Sequence, residues 1–204
     1  PYTDDVQFET VAAMAYVMGR LQTEVSIPYG NDVIGDDMAS IPLAAAVGAK
    51  FGRGVYHGCF STSSGWVDSH GGQVARRKHN LRMDHFKQVH YLIPESSADP
   101  GGRDPIDIMK PIYFLNRPDA IGVAGPVAGQ KFDAQLLARC RENFSDAVLF
   151  AVTGVKVDNV HEIMPIADGA FIGTHFKVDG VFRNGIDKNR VKTFMDRVKS
   201  LRDR

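Results

Sequence analysis

Asn31, Asp32, Arg53 and His90 are the side chains of this 204-residue sequence best suited to work on a polar substrate, because each lies in or at the end of an apolar run. Asp32 can act as a general base when partly desolvated, and the imidazole of His90 can serve as acid, base or metal ligand near neutral pH. Arg53 stands in the otherwise apolar run Phe51 to Tyr56. A guanidinium there needs a partner, either a carboxylate such as Asp32 or an anionic substrate. Plainer readings stand beside these: an Asx turn for Asn31-Asp32, and a satisfied buried histidine for His90. His57, Asp68 and His70 share one long loop and can meet over a site, but no HxH or HExxH spacing occurs and no metal is expected. Ser61-Thr62-Ser63-Ser64 offers hydroxyl donors to a phosphate or simply forms a polar loop.

A second group of residues points to an anion. Ala147 to Val152 is a continuous apolar and β-branched run that ends at Thr153-Gly154, and Ala170-Phe171-Ile172 ends at Gly173-Thr174. Between them Val160 to Met164 forms a short helix, with Asp158 and Asn159 as N-cap candidates and Pro165 as its stop. Two strands ending in glycine suit a phosphate, because a backbone without Cβ can bring its N–H groups close to an anion. Gly154, Val155, Gly173 and Thr174 are therefore the expected phosphate-binding residues; the alternative is that both glycines only make tight strand-to-helix turns.

The elements that must position these groups alternate along the chain. Thr3-Asp4-Asp5 is the candidate cap of a helix from Val6 to about Glu24, with Phe8, Val11, Ala12, Ala15 and Met18 on its apolar face. Strands are expected at Ser26 to Val33, Lys50 to Tyr56, Phe86 to Ile93, Ala120 to Ala124, Ala147 to Val152 and Ala170 to Ile172. Helices are expected at Asp37 to Val47 with Gly48 as C-terminal cap, Gln73 to Arg82, Asp107 to Leu115, Phe132 to Asn143 and Asn189 to Leu201. His57 to Gly72, Pro94 to Arg103 and Gly125 to Gly129 read as loops. The last helix should turn Val191, Phe194, Met195, Val198 and Leu201 inward. Such alternation calls for a parallel α/β architecture with right-handed crossovers, either an open doubly wound sheet or an incomplete (β/α)8 barrel. The lack of a Gly-rich fingerprint after an early strand argues against a dinucleotide site, and no cofactor is expected.

Composition excludes several classes. Hydrophobic residues make up 44% of the sequence, enough for a substantial core, and 24 Lys and Arg balance 24 Asp and Glu to a net charge of zero. No general basic field points to nucleic acid, and the run Arg76-Arg77-Lys78-His79 reads as the solvated face of a helix. Cys59 and Cys140 are too few and too far apart for a disulfide framework, so a reducing compartment such as the cytoplasm is expected. No apolar run approaches the ~18 residues of a membrane span.

The sequence also resembles a known family, the BtpA family of TIM barrels, which includes the SgcQ-like proteins. The resemblance rests on Phe8-Glu9-Thr10-Val11-Ala12-Ala13-Met14, Gly48-Ala49-Lys50-Phe51 with Arg53, Val89-His90, Ala167 to Thr174 with Lys177 and Asp179-Gly180, and the closing Val181 to Asp187 with Arg190-Val191. It implies a (β/α)8 TIM barrel as a single domain over 1–204, with six βα units in this sequence and the first two strands outside it. The expectation is then a longer chain, or a barrel completed by a second polypeptide or a homo-oligomer, because a barrel missing two strands exposes edges and interior. It also implies an enzyme acting on a phosphorylated sugar or nucleoside-like small molecule, with Asn31, Asp32, Arg53 and His90 around the reacting carbon. The alternative it implies is a non-catalytic photosystem I biogenesis factor. The sequence departs from the family pattern at Tyr91-Leu92-Ile93-Pro94, where a lysine and polar residues usually follow, and at Gly54, where asparagine is usual. Val152 to Lys156 stays close to it, so the phosphate end is better kept than the chemical end.

Overall fold

The computed structural model describes residues 6–63, 65–125 and 132–202. Six strands run parallel in one sheet: β1 (Gly30–Asn31), β2 (Phe51–Gly54), β5 (Lys87–Tyr91), β7 (Ala120–Ala124), β8 (Leu149–Val152) and β9 (Gly169–Phe171). Their spatial order follows the sequence, β1-β2-β5-β7-β8-β9. That is the order in which right-handed crossovers wind a barrel wall. The helices between them are α1 (Phe8–Leu21, before β1), α2 (Asp37–Val47), α3 (Gly71–Asn80), α4 (Pro105–Pro111), α5 (Ala134–Asn143), α6 (Val160–Ile163) and the closing α7 (Lys188–Arg202). A π-helical turn, Ile112–Asn116, extends α4.

Register decides which side chains share a face. Gly54 pairs with His90, His90 with Ile121 and Ile121 with Leu149, so these four lie on one face with Val123 and Ala151. That face is the helix side: Ile121, Val123, Leu149 and Ala151 are buried with Ile108, Met109, Leu137 and Cys140 of the helices. The opposite face carries Phe51, Arg53, Val89, Tyr91, Phe150, Val152 and Phe171. Phe51 on β2 and Phe171 on β9 have ring centroids only 6.4 Å apart although three strands separate them in the sheet. The sheet is therefore curled into a partial barrel, with this face as its interior. Small residues make room there: a Cβ on Gly169 would lie 2.8 Å from the Phe150 ring. Between β9 and β1 the wall is open among the described residues, and each of those two strands has one unpaired side.

Local signals explain most boundaries. Asp36 accepts a hydrogen bond from Ala39 N at 2.9 Å, and Gly48 closes α2 at φ 71°, a left-handed position that favours glycine. Arg141 on α5 donates to the carbonyls of Ser145, Ala147 and Ile166 and to Asp168, and Asp168 accepts from Leu149 N at 2.8 Å. This clamp fixes where β8 and β9 begin.

Several expectations are corrected. The expected strand Ser26 to Val33 shortens to β1, and the residues proposed to cap the first helix lie outside those described. Phe8 is 90% exposed and Ala12 is exposed, while Val11, Met14, Ala15 and Met18 pack against the core, so the apolar face is turned by about one position. On α7 Phe194 and Val198 are buried but Met195 is exposed. The segments read as loops contain a small antiparallel sheet, β4-β3-β6, made by β3 (Cys59–Thr62), β4 (Gly65–Asp68) and β6 (Ser97–Ala98). Its Gly and Ser content hides it, and only Phe60 of β3 is buried deeply. The Arg76 to His79 run is on α3 with Arg76, Arg77 and His79 exposed, as expected.

Candidate active site at the strand ends

In a barrel of this kind chemistry gathers at the carboxyl ends of the strands. A cavity of about 560 Å³ lies there, lined by Arg53 from β2, Glu95 after β5, Thr153 to Lys156 after β8, Phe171 to His175 from the end of β9, and Lys177, Asp179, Gly180, Phe182 and Arg190 further on. Gly154, Val155, Gly173 and Thr174 therefore meet on one wall. Two devices hold that wall. Asn159 donates to the Gly154 carbonyl at 3.0 Å and accepts from Lys156 N at 2.7 Å, tying the loop after β8 into a turn. Arg190 on α7 donates to the His175 carbonyl at 2.7 Å, fixing the loop after β9. His175 Nε2 accepts from Val157 N at 3.4 Å, joining the two loops, and burial followed by the charge of Arg190 lowers the pKa of the ring. An N–H acceptor at Nε2 requires the unprotonated nitrogen there, in keeping with a neutral imidazole. Gly173 has open space where a Cβ would project, and the N–H groups of Gly173 and Thr174 have no protein acceptor among the described residues.

Arg53 crosses from the other wall. Its Nε donates to Asp32 Oδ2 at 2.9 Å, and its guanidinium carbon lies 5.1 Å from the Phe171 ring centroid and 5.5 Å from that of Tyr91. The expected internal ion pair is present. Burial raises the Asp32 pKa in spite of Arg53, with a smaller upward push from Glu95. Behind it Asp37, the first residue of α2, accepts from Val55 N at 3.3 Å and sits where a Cβ on Gly54 would lie only 2.2 Å from its Oδ1. Burial and the neighbouring Asp32 push Asp37 up to about 7.

The remaining expected residues fall elsewhere. His90 faces the helix layer and not the barrel interior: it is 6% exposed, its ring packs tilted at 44° against that of Tyr56 with centroids 4.7 Å apart, and its Nδ1 has no hydrogen-bond partner among the described residues. Burial and nearby His57 lower it to about 3, so it is neutral. Strand alternation separates His90 from Tyr91, and Tyr91 is the one that reaches the interior. Asn31 also faces outward and donates to the Ser40 carbonyl at 2.8 Å, anchoring β1 to α2. His57 does not meet Asp68 and His70. It donates through Nε2 to the Tyr91 carbonyl at 2.6 Å, whereas Asp68 and His70 line a separate cleft with Asp36, Asp37 and Trp66. Ser61 and Thr62 are used within the small sheet, bonding the carbonyls of Ala98 and Gly65. No cluster of three metal-ligating side chains occurs among the described residues.

A profile of the BtpA family matches residues 1–200. The chain belongs to the BtpA family. It is 41% identical to the sgc region protein SgcQ of Escherichia coli K12 over 202 residues, which is 99% of this chain and 75% of SgcQ. It is 25% identical over 189 residues to the photosystem I biogenesis protein BtpA of Synechocystis, covering 91% of this chain and 65% of that one. Among solved structures the fold resembles a phosphoribosyl anthranilate isomerase from Thermococcus kodakaraensis, with a TM-score of 0.60 over 91% of this chain and 81% of the isomerase, at 15% identity. That likeness shows the TIM-barrel fold.

One residue of this BtpA-family cavity carried no local signal in the sequence. Glu95 lies in the polar stretch after β5, and its Oε2 accepts from Thr153 Oγ1 at 2.7 Å. Thr153 and Gly154 have φ of 73° and 81°, and Ser96 has φ 58°. A β-branched residue in the left-handed region is strained, and such strain concentrates at functional sites. The strained turn at the end of β8 thus holds the Glu95 carboxylate against the cavity.

Proposed function

We propose that this BtpA-family protein is an enzyme acting on a phosphorylated sugar or nucleoside-like small molecule, bound at the carboxyl ends of its strands. The phosphate would lie against the backbone of Gly154, Val155, Gly173 and Thr174, with Lys177 and Arg190 supplying positive charge. The observation that carries this reading is that one cavity brings the two glycine-ended loops together with Arg53 and Glu95. The loops suit an anion, and Glu95 suits proton transfer at a carbon or oxygen of the ligand. Asp32, bonded to Arg53, would orient that guanidinium, and His90, turned toward the helices, would serve packing.

The open side of the barrel between β9 and β1 is where further strands, or a second copy of the chain, would pair. Among the described residues no helix is long and apolar enough to cross a membrane. With Cys59 and Cys140 both free, a reducing cytoplasm suits the protein.

A thermal-shift screen of sugar phosphates and nucleotides tests the reading. A ligand at 100 times its Kd stabilises the fold by about 2.7 kcal/mol. That gain should shrink in Gly173→Asp, which has room for the side chain but sets a negative charge beside the phosphate. An intact fold with no response anywhere in the screen would instead favour a non-catalytic assembly role of the photosystem I biogenesis type.

A further inference from the structure

Arg53 stands on the cavity wall with one of its five N–H donors bonded to protein among the described residues. Asp32 takes the Nε edge at 2.9 Å, and the Nη groups have no protein acceptor among the described residues. A guanidinium recruited only to neutralise a carboxylate would do so best through two parallel bonds. Here the single bond, together with the rings of Phe171 and Tyr91 at 5.1 and 5.5 Å, fixes the guanidinium and leaves its outer donors uncommitted. Its side chain is 28% exposed, and the solvent it meets is that of the cavity that Gly154 and Gly173 also line. Much of the entropy of orienting a long cationic side chain has thus been lost before any ligand arrives.

We propose that the Nη groups of Arg53 bind a second anionic group of the ligand, a carboxylate, so that the substrate class is a phosphorylated sugar acid or a similar carboxylate-bearing phosphate ester. This rests on the phosphate reading given above and adds the other end of the molecule. A planar carboxylate matches the paired donors of a guanidinium edge. A second phosphate fits less well, because Glu95 lines the same cavity and Arg53 has already spent part of its charge on Asp32. Glu95 makes no hydrogen bond or ion pair with Arg53, and its Oε2 accepts from Thr153. The ligand would span the cavity from the loops after β8 and β9 to Arg53, and its middle carbons would pass Glu95.

Calorimetric binding to the whole chain, with two pairs of probes, tests the assignment. Each pair shares its phosphate and chain length and differs only at the acid: 6-phosphogluconate against sorbitol 6-phosphate, and 3-phosphoglycerate against glycerol 3-phosphate. In the unmodified protein the acid of at least one pair should bind about tenfold or more tightly than its alcohol. Arg53→Met keeps an apolar stem between the two rings and should bring that pair to within about twofold of each other. Arg53→Lys, which keeps charge without the fork, should fall between the two and covers the case in which Arg53→Met does not fold. Phosphate binding without any preference for the acid, or a preference that survives in either variant at full size, overturns the carboxylate assignment alone. Failure of all four probes to bind overturns the carboxylate assignment, and the phosphate reading falls with it only when the screen of sugar phosphates and nucleotides is silent as well.

Discussion

Thr153 and Glu95, 58 positions apart in sequence, are joined by a hydroxyl-to-carboxylate hydrogen bond of 2.7 Å. The bond is made from a backbone held at φ 73°, which threonine adopts only under constraint. Two opposing terms can therefore be separated at one position. Thr153→Val keeps the strained backbone and removes the donor, and should cost about 1–2 kcal/mol. Thr153→Gly also removes the donor but relieves the strain, and should be the more stable of the two variants by about 1 kcal/mol. Urea unfolding of both variants checks the order; a glycine variant less stable than the valine one would show that φ at this position is not strained.

The acidic pair behind Arg53 gives a pH dependence whose sign can be stated. Asp37 is raised to about 7 in the folded protein, by burial first and by Asp32 second. An unfolded aspartate titrates near pH ~3.9, so between about pH 4 and 7 the folded state holds a proton that the unfolded state has released. Stability from this group is full below that window and falls as pH rises through it. His90, lowered to about 3 by burial, acts oppositely: it withdraws stability as pH falls below the ordinary histidine range. The difference between Asp37→Asn and the parent cancels the histidine contribution. The asparagine should be the more stable protein at pH 7.5 and should lose that advantage as the pH is lowered toward 4.5, which thermal unfolding across the range will show.

Asp32 and Arg53 invite a double-mutant cycle. Their contact is partly buried, with side-chain exposures of 17% and 28%. Removing Arg53 alone leaves a buried carboxylate without its cation, and removing the charge of Asp32 alone leaves the guanidinium beside Tyr91 and Phe171 with a neutral amide in place of its counter-ion. Asp32→Asn and Arg53→Met should each destabilise, and the double variant should lose less than their sum, with a coupling of about 1 kcal/mol or more. Additivity of the two changes would mean that the pair contributes orientation and no stability.

What could be read from the sequence follows the range of the physics involved. Helix α2 was legible because its N-terminal aspartates, its apolar interior and Gly48 are all local signals. β7 was legible because Ala120–Ala124 is apolar on both faces. Alternation in β5 correctly separates His90 from Val89 and Tyr91, but alternation alone carries no information about which face is interior. That is set by pairing with β2 and β7, and it places His90 among the helices. The Asp32–Arg53 pair could be anticipated because a charge in an apolar strand demands a partner. Glu95 could not, since its position is defined by the turn after β8, where the positive φ of Thr153 leaves no mark in the residue type.

Two glycines separate backbone need from mere occurrence. Gly71 opens α3, and a Cβ there would lie 2.2 Å from the Tyr56 carbonyl oxygen, a backbone atom that cannot rotate away. Tyr56 is itself 2% exposed and packed against His90, so relief would have to move the chain that follows β2. Gly71→Ala should cost about 2 kcal/mol or more, in the range of overpacked sites. Gly19 lies within α1, and apart from its chain neighbours and the nearby backbone of the helix itself no atom of the described residues comes within 4 Å of the place where its Cβ would stand. Gly19→Ala should stabilise by about 0.5–1 kcal/mol through helix propensity alone. Urea unfolding of the two variants checks the contrast, and a neutral Gly71→Ala would mean that the Tyr56 carbonyl is free to shift.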